Sequence, residues 1–336
     1  MPARNQSLDV LRGLAVLMVI CSHYPYFPLM TSGWIGVDLF FVLSGFLISG
    51  LLFSDLRSYG SIRLVRFWVR RGFKIYPAFV TFLALTALLF PSVRPSWKIQ
   101  ALFLTNYISL PAQAGAWGHL WSLDVEEHFY LVLPILLLCL ARLRALRLIP
   151  WLAGALVVAC FMLRVEYHLS HGVHITAPTH LRIDALFAGV AVGYFYHYYR
   201  EQFLSASRWF LLPISAVFIV PAMISPDASA LRWSCTMSAN LFSFALLLVW
   251  AFPRRIPFSH LIAVIGQHSY SIYLWQMIVA MFFHARAESA LGFFGYLTAS
   301  VAVGTAMAVI VELPALSLRD RLRLLTTNAQ ELVTPA

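Results

Sequence analysis

The sequence predicts an all-α, polytopic integral membrane protein with about ten transmembrane helices and both termini in the cytoplasm. Hydrophobic residues make up 60% of the 336 residues and charged residues only 11%, whereas a soluble globular domain has about 25% charged residues. Apolar stretches that are too long and too uniform for the surface helices of a soluble protein recur along the chain. They include residues 14–20, 37–53, 79–90, 129–140 and 241–252. A soluble fold could not cover this much apolar surface, so these stretches need lipid around them.

The candidate spans each occupy roughly 17 to 25 residues, as a bilayer requires. They begin near Leu8, Ile35, Ile75, Trp121, Ile149, Arg182, Trp209, Ser234, His260 and Phe293. The segment 99–110 is apolar but too short to cross, and we interpret it as re-entrant or interfacial. Asp9 and Arg12 interrupt the first apolar run and no small-residue cleavage site follows, which favours a retained span over a signal peptide.

The distribution of basic residues predicts the orientation. The formal net charge is +10, but the basic residues are spread over short loops instead of forming one patch, which argues against a nucleic-acid partner and is typical of the positive-inside rule. With a cytoplasmic N-terminus, the cytoplasmic side holds Arg57, Arg63, Arg66, Arg70, Arg71, Lys74, Arg142, Arg144, Arg147, Arg200, Arg208, Arg254, Arg255, Arg319, Arg321 and Arg323. We predict a single membrane domain, 1–325, followed by a short polar tail, 326–336.

Neither the cysteines nor the clustered histidines predict a metal site. The four cysteines lie in apolar segments without CxxC spacing, which predicts free thiols. They are Cys21, Cys139, Cys160 and Cys235. Four histidines are loosely spaced in a predicted outer loop, at His168, His171, His174 and His180. A zinc site requires a tighter ligand set, so we predict no metal.

Arg12 and His23 are the first candidate functional pair. An ionisable residue inside a span costs roughly 2.5 to 3.5 kcal/mol, so each one is a candidate by default. Eleven positions separate the two residues, which places them on one helix face about 16 Å apart along the axis. An arginine can hold phosphate, and a histidine can take a proton from a hydroxyl near neutral pH. The alternative is an interfacial anchor and a structural histidine.

The second predicted span begins with Asp38 and contains the pair Ser44-Gly45. A glycine at this position allows either another helix or a thin ligand to approach the backbone, and Ser44 offers a hydroxyl there. Helix packing and ligand binding therefore both explain the pair.

A basic stretch with interleaved aromatic residues precedes the third predicted span and contains Arg71 and Lys74. One interpretation is charge that sets the orientation of the chain, beside an aromatic belt. The other is a cytoplasmic anion pocket that neutralises the phosphates of a nucleotide-bearing donor.

The segment 118–130 brings three acids and two histidines to a span. We predict that at least one acid lies in a site, with Glu126 as a partner for a histidine; a solvated charged loop is the alternative. Arg182 and Asp184 begin the sixth predicted span two positions apart. Residues at this spacing do not face each other on a helix, so each is expected to pair elsewhere, in structure or in substrate positioning.

Taken in order, these segments resemble the motifs of the membrane acyltransferase type 3 family over nearly the whole chain. Arg12 and His23 resemble its Arg-x10-His signature. The other similar segments are 36–46 (GxDxFFxxSGF), 71–77 (RxxRIxP), 121–130 (WSLxxExxFY), 182–184 (RxD), 270–275 (YSxYLW) and 312–314 (ExP). Lys74 replaces the usual arginine of the third motif and loses its planar fork. Gln276 stands where many relatives have histidine, so we assign it no proton transfer.

The resemblance implies a multi-pass acyltransferase of the bacterial inner membrane, which transfers an acyl group other than an aminoacyl group. The donor would be acyl-coenzyme A, most simply acetyl-CoA, and the acceptor a hydroxyl of a carbohydrate such as a cell-surface polysaccharide. A small metabolite such as a macrolide is an alternative acceptor, and a transporter or flippase is the alternative from another class.

The resemblance also implies roles for individual residues. His23 would remove a proton from the acceptor hydroxyl or briefly carry the acyl group, and Glu126 would orient it. The predicted donor-binding residues are Arg12, Arg71, Lys74, Ser44 and Gly45. The residues predicted to bind substrate or to be structural are Asp38, Trp121, Ser122, Tyr130, Arg182 and Asp184.

Overall fold

The computed structural model describes residues 5–24, 33–108, 115–171, 177–208, 211–216, 230–283 and 289–322, and within these residues the chain is helical, with no β-strand. The α-helices are α1 (Gln6–Ser22), α2 (Ile35–Tyr59), α3 (Leu64–Leu89), α4 (Trp97–Ala101), α5 (Trp121–Arg142), α6 (Ile149–His171), α7 (Ile183–Tyr198), α8 (Arg200–Ala206), α9 (211–216), α10 (Ala230–Ala251), α11 (His260–Gln267), α12 (Ser269–Phe283) and α13 (Ala290–Met307). A π-helical turn, Ala308–Glu312, extends α13, and the chain stays helical to residue 322. The predicted all-α class is confirmed for these residues.

Five helical stretches of the described chain are long and apolar enough to cross a membrane. They are Ile35–Tyr59, Leu64–Leu89, Leu146–His171, Leu231–Ala251 and Ala290–Leu322. The segment Ser269–Phe283 is apolar but shorter. With its several apolar helices, the chain is a membrane protein.

Most predicted span starts lie within four residues of a helix start, and the largest difference is in the third span. The sequence places that start near Ile75, whereas α3 begins at Leu64. Arginine and lysine are good helix formers, so the basic stretch from Arg66 to Lys74 is helical instead of forming a loop. Hydropathy locates the part of a helix that lies in lipid, and not its first residue. The predicted start at Trp209 and the tail 326–336 lie outside the described residues.

Small residues allow two helix pairs to approach closely. A Cβ atom at Gly45 of α2 would lie 1.9 Å from a carbonyl oxygen of α7, and one at Gly189 of α7 would lie 2.1 Å from a carbonyl oxygen of α2. Helices α1 and α11 meet in the same way at Gly13 and Gly266. Such contacts replace the hydrophobic driving force that is missing between helices in lipid, and they hold α1 and α2 at the centre of the bundle.

The segment predicted to be re-entrant or interfacial, 99–110, forms the end of the short helix α4 and then turns over its described part, which ends at residue 108. Asp124 of α5 anchors these turns, because it accepts hydrogen bonds from the Thr105 hydroxyl and from the backbone N–H of Asn106, the latter at 3.0 Å. The described part of this segment therefore does not span the bundle.

We refer to the two ends of the bundle as the Arg12 end and the His23 end. The Arg12 end holds the starts of α1 and α3 and the ends of α2 and α10, and the Asn5 side chain ties α1 to the end of α10 with a hydrogen bond of 2.9 Å. At the His23 end, the ring of Tyr24 stacks on Tyr296 of α13 at a centroid distance of 5.3 Å.

Candidate active site

A narrow cavity of about 110 Å³ lies among α1, α2, α3, α5 and α12, and we call it the inner cavity. Its polar lining consists of Arg12, Ser44, Arg71, Lys74, Ser122, Glu126, Glu127, Tyr130, Ser269, Tyr270 and Tyr273. Side chains from five helices that are distant in the sequence thus meet at one place. Seven of the residues named from the sequence alone are among them.

A chain of hydrogen bonds crosses the wall of the inner cavity. Tyr130 and Glu126 are four residues apart on α5 and therefore share one helix face. The Tyr130 hydroxyl donates to the Glu126 carboxylate at 3.1 Å and lies 2.8 Å from the Ser44 hydroxyl. Because the Tyr130 proton goes to Glu126, Ser44 is the donor to Tyr130. The guanidinium of Arg71 lies 5.8 Å from the centre of the Tyr130 ring.

Arg12 and Arg71 bring positive charge to the inner cavity without an ion pair among the described residues. The Nε atom of Arg12 donates to the hydroxyl of Ser269 at 3.2 Å. Arg71 contacts the rings of Phe67 and Tyr130. Both guanidinium groups therefore keep donors for an anion that enters the cavity.

Lys74 differs from these arginines because its ammonium group forms an ion pair with Glu312. Glu312 is 2% exposed, lies at the end of the π-helical turn, and also accepts a hydrogen bond from Ser271 at 2.7 Å. The positive charge of Lys74 is thus compensated within the protein. This contact differs from the predicted role of Lys74 as a phosphate ligand.

His23 is the C-terminal cap of α1, so the predicted helix that carries Arg12 ends one residue before His23. Its Nδ1 atom lies 2.9 Å from the carbonyl oxygen of Val19. A carbonyl oxygen only accepts hydrogen bonds, so Nδ1 carries a proton, and in the neutral ring the lone pair that can act as a base is on Nε2. The side chain is half-buried and does not line the inner cavity.

A layer of side chains separates His23 from the inner cavity. Ser122 and Tyr273 line the cavity, and the Tyr273 hydroxyl donates to the backbone carbonyl of His119 at 2.8 Å. Beyond them lies the His119 ring, which is 3% exposed and bonded through Nε2 to the carbonyl oxygen of Leu274 at 3.1 Å. His119 is within electrostatic range of His23. The inner cavity therefore reaches Arg12 but not His23 in this structure.

Two expectations need correction. Glu126 was predicted to orient His23, but within the described residues it faces Ser44 and Tyr130 on the cavity side of α5, and the histidine in electrostatic range of His23 is His119. Gly45 does not line the inner cavity, because the backbone of α7 occupies the space above it. Sequence reasoning noted the two histidines of the segment 118–130 but assigned neither to the site.

Three of the remaining predicted residues, Asp38, Arg182 and Asp184, form buried ion pairs that join α2, α6 and α7. Arg182 pairs with Asp38 at 2.5 Å, and Arg164 pairs with Asp184 at 2.9 Å. Arg182 and Asp184 thus find separate partners, as their spacing predicts. The guanidinium of Arg182 also lies 5.3 Å from the centre of the Trp121 ring. None of Asp38, Arg182, Asp184 and Trp121 lines the inner cavity.

A second and wider pocket of about 290 Å³ opens at the Arg12 end, and we call it the outer pocket. It shares Arg71 and Lys74 with the inner cavity. The other lining residues are Leu51, Leu52, Asp55, Arg66, Phe67, Arg70, Leu316 and Arg319. Five cationic side chains thus surround this pocket with one carboxylate. The sequence pattern explained most of these cationic residues by the orientation of the chain in the membrane. It could not predict that Arg319 and Arg66 line the same pocket, because the two residues are distant in the sequence.

The thiols and the metal-binding side chains give no further candidate site. All four cysteines are free thiols. Among the residues that the structure describes, no group of three histidine, cysteine, aspartate or glutamate side chains is arranged to hold a metal ion.

Comparison with known proteins assigns the family. The acyltransferase domain family matches residues 5–312, and the chain belongs to this family. Acyl transfer is thus favoured over the transporter alternative, and the predicted acyltransferase class is confirmed at the level of the family.

Two relatives carry the same name. The O-acetyltransferase OatA of Staphylococcus aureus strain NCTC 8325 is 26% identical over 312 residues, which cover 84% of this chain and 51% of that protein. OatA of Staphylococcus aureus strain COL has the same identity and coverage. The chain therefore spans about half the length of the curated relatives it matches. No solved structure shows significant similarity to it.

Proposed function

We propose that the chain is an O-acetyltransferase that moves an acetyl group from acetyl-CoA to a hydroxyl of a carbohydrate, such as a cell-surface polysaccharide. The family and the names of the relatives support acyl transfer to oxygen. The observation that carries the proposal is the arrangement along α1. Arg12, at one end, lines a cavity that contains two cations without ion pairs among the described residues, and His23, at the other end, has a lone pair on Nε2.

The proposed topology has ten spans with both termini in the cytoplasm, within a single membrane domain, 1–325, of a bacterial inner membrane. The five long apolar helices and the shorter α12 supply part of this count. The basic residues of the outer pocket lie at the Arg12 end, which the positive-inside rule places in the cytoplasm. The donor would then enter from the compartment that contains coenzyme A.

In the proposed complex, Arg12 and Arg71 bind phosphate oxygens of the donor, and the thin arm of the donor occupies the inner cavity beside Ser44. Guanidinium groups suit this role because their paired N–H donors match phosphate oxygens. Lys74 contributes less than the two arginines because Glu312 already compensates its charge. The arm must pass Tyr273 and Ser122 to reach His23, and rotation of the Tyr273 side chain would open this route.

The proposed reaction begins when Nε2 of His23 takes the proton of the acceptor hydroxyl. The oxygen attacks the thioester carbonyl carbon, a C–O bond forms, the C–S bond breaks, and the thiolate takes up the proton that His23 received. In the second form of the mechanism, Nε2 of His23 attacks the thioester carbon first, a C–N bond forms, the C–S bond breaks and the thiolate leaves. The acceptor oxygen then attacks the acetyl carbon, the C–N bond breaks, and the thiolate takes up the hydroxyl proton. Both forms require an unprotonated Nε2, which the bond from Nδ1 to Val19 supports.

The central test is His23→Ala in purified protein reconstituted in vesicles with radiolabelled acetyl-CoA. We expect acetyl transfer and donor hydrolysis to fall at least about 100-fold, while CoA binding stays near that of the wild type. His171→Ala is the matched control, because His171 lies at the His23 end of α6 and makes the same kind of bond, from Nδ1 to the carbonyl four residues earlier, at 3.0 Å. Full activity of His23→Ala would remove the proposal.

A further inference from the structure

We propose that Arg66 and Arg319 form the binding site for the 3′-phosphate of coenzyme A at the rim of the outer pocket. This inference rests on the proposed function, since it assigns the far end of the same donor. Arg319 lies on the helical extension of α13, beyond residue 312, where the family match ends. The site would therefore be completed by a segment outside the matched family region.

The geometry follows from two antiparallel helices. Helix α3 runs from the Arg12 end towards the His23 end, whereas α13 and its extension run in the opposite direction. They contact each other where Lys74 meets Glu312. Arg66 precedes Lys74 by eight residues and Arg319 follows Glu312 by seven, which displaces both by about 10 to 12 Å towards the Arg12 end. The two arginines therefore lie at the same depth on facing helices, and both line the outer pocket.

The charges at this rim are poorly compensated from within the pocket. Its one lining carboxylate, Asp55, is already bonded to Arg63 at 3.0 Å. Arg319 pairs with its neighbour Asp320, whose side chain is 59% exposed. An ion pair exposed to solvent stabilises a protein very little, so a phosphate can displace Asp320 from Arg319 easily.

The shape of the two cavities determines which phosphate meets which cation. The inner cavity is too narrow for a nucleotide, whereas the outer pocket is wider. The diphosphate of coenzyme A is attached directly to the arm, so it lies nearest the shared boundary at Arg71. The 3′-phosphate is on the ribose, beyond the diphosphate, and carries a charge of about −1.5 to −2 as a phosphate monoester. Cations at the rim, away from the boundary, match this group.

The test compares the affinities of coenzyme A and 3′-dephospho-coenzyme A for the full chain in nanodiscs, measured by displacement of radiolabelled coenzyme A. We expect the wild type to bind coenzyme A about tenfold more tightly than the dephospho form. Arg319→Gln and Arg66→Gln should each remove most of this preference and leave the affinity for the dephospho form unchanged. The matched control is Arg321→Gln, because Arg321 is exposed on the same helix and does not line the pocket.

Three results would overturn the inference. The first is equal affinity of the wild type for both nucleotides. The second is an equal loss of affinity for both nucleotides in Arg319→Gln, and the third is no binding of either nucleotide. The effect of Arg319→Gln should also persist when the nanodiscs contain only zwitterionic lipid. Its disappearance there would assign the rim to an anionic lipid headgroup and overturn the nucleotide assignment.

The outcome is separable from that of the proposed function. Binding that discriminates the 3′-phosphate without any acetyl transfer would support the inference and defeat the proposed function. Acetyl transfer without discrimination of the 3′-phosphate would support the proposed function and defeat the inference.

Discussion

Two groups of arginines lie inside the helical bundle and differ in what surrounds their charge. Behind the inner cavity, Arg182 and Arg164 each have a carboxylate partner, at 2.5 Å and 2.9 Å, and both are 3% exposed. In the inner cavity, Arg12 and Arg71 have no such partner within the described chain and face open space. The first group is complete without a ligand, whereas the second leaves guanidinium donors available.

The physical reason for the difference is the cost of burying charge. An ion sealed in an apolar interior must be paired, or the fold loses several kcal/mol. A cavity that admits water or a charged ligand removes that requirement, so an unpaired cation there indicates binding more than stability. Lys74 is intermediate, because it lines the cavity yet pairs with Glu312.

The largest stability effect is expected for Arg182→Met. This change leaves the Asp38 carboxylate buried without its cation, which should destabilise the fold by about 3–5 kcal/mol. The thermal unfolding midpoint of the purified protein measures it. The double variant Asp38→Asn/Arg182→Met should recover most of the loss, and Arg71→Met should stay near the wild type. An equal loss in Arg71→Met would erase the distinction between the two groups.

Arg71→Gln should act on the donor instead of the fold. We expect the KM for acetyl-CoA to rise about 10- to 100-fold, because a charge-assisted contact to phosphate is lost. The kcat at saturating donor should change much less. Arg142→Gln is the control, since Arg142 is exposed at the Arg12 end and lines neither cavity. An unchanged KM in Arg71→Gln would refute the phosphate role.

Lys74→Met tests the intermediate case. Loss of the ammonium leaves Glu312 without its cation and should lower stability by about 1–3 kcal/mol, and Lys74→Met/Glu312→Gln should restore it. The donor KM should rise less than in Arg71→Gln. If Lys74→Met raised the KM as strongly as Arg71→Gln while stability stayed unchanged, Lys74 would belong with Arg12 and Arg71, the cations available to a ligand. Thermal unfolding and donor kinetics on the same preparations separate these outcomes.

The smallest effect is expected for Ser44→Ala. It removes one hydrogen bond to Tyr130, worth about 0.5–1.5 kcal/mol, and should change the donor KM only a few-fold. Tyr130→Phe removes the bonds to both Ser44 and Glu126 and should cost more. An effect of Ser44→Ala as large as that of Arg71→Gln would mean that the hydroxyl contacts the donor directly.

Seven of the residues named from the sequence line the inner cavity, because lipid makes polar residues informative. Charges are rare in apolar helices, so Arg12, His23 and Glu126 could be named without knowledge of any contact. The same reasoning could not assign partners. The ion pair between Lys74 and Glu312 joins residues 238 positions apart, and the contact of Gly45 with α7 depends on which helix packs there.

The sequence alone determined the all-α class, the positions of most helices and the residues that can carry charge into the membrane, because these follow from hydropathy and from the cost of burying ions. Only the tertiary structure decided which charged side chains form ion pairs and which of them are available to a ligand. It also decided that Glu126 faces Tyr130 instead of His23, and that Arg66 and Arg319 meet at one pocket. Pairing depends on how distant helices pack against each other, and no local pattern encodes that.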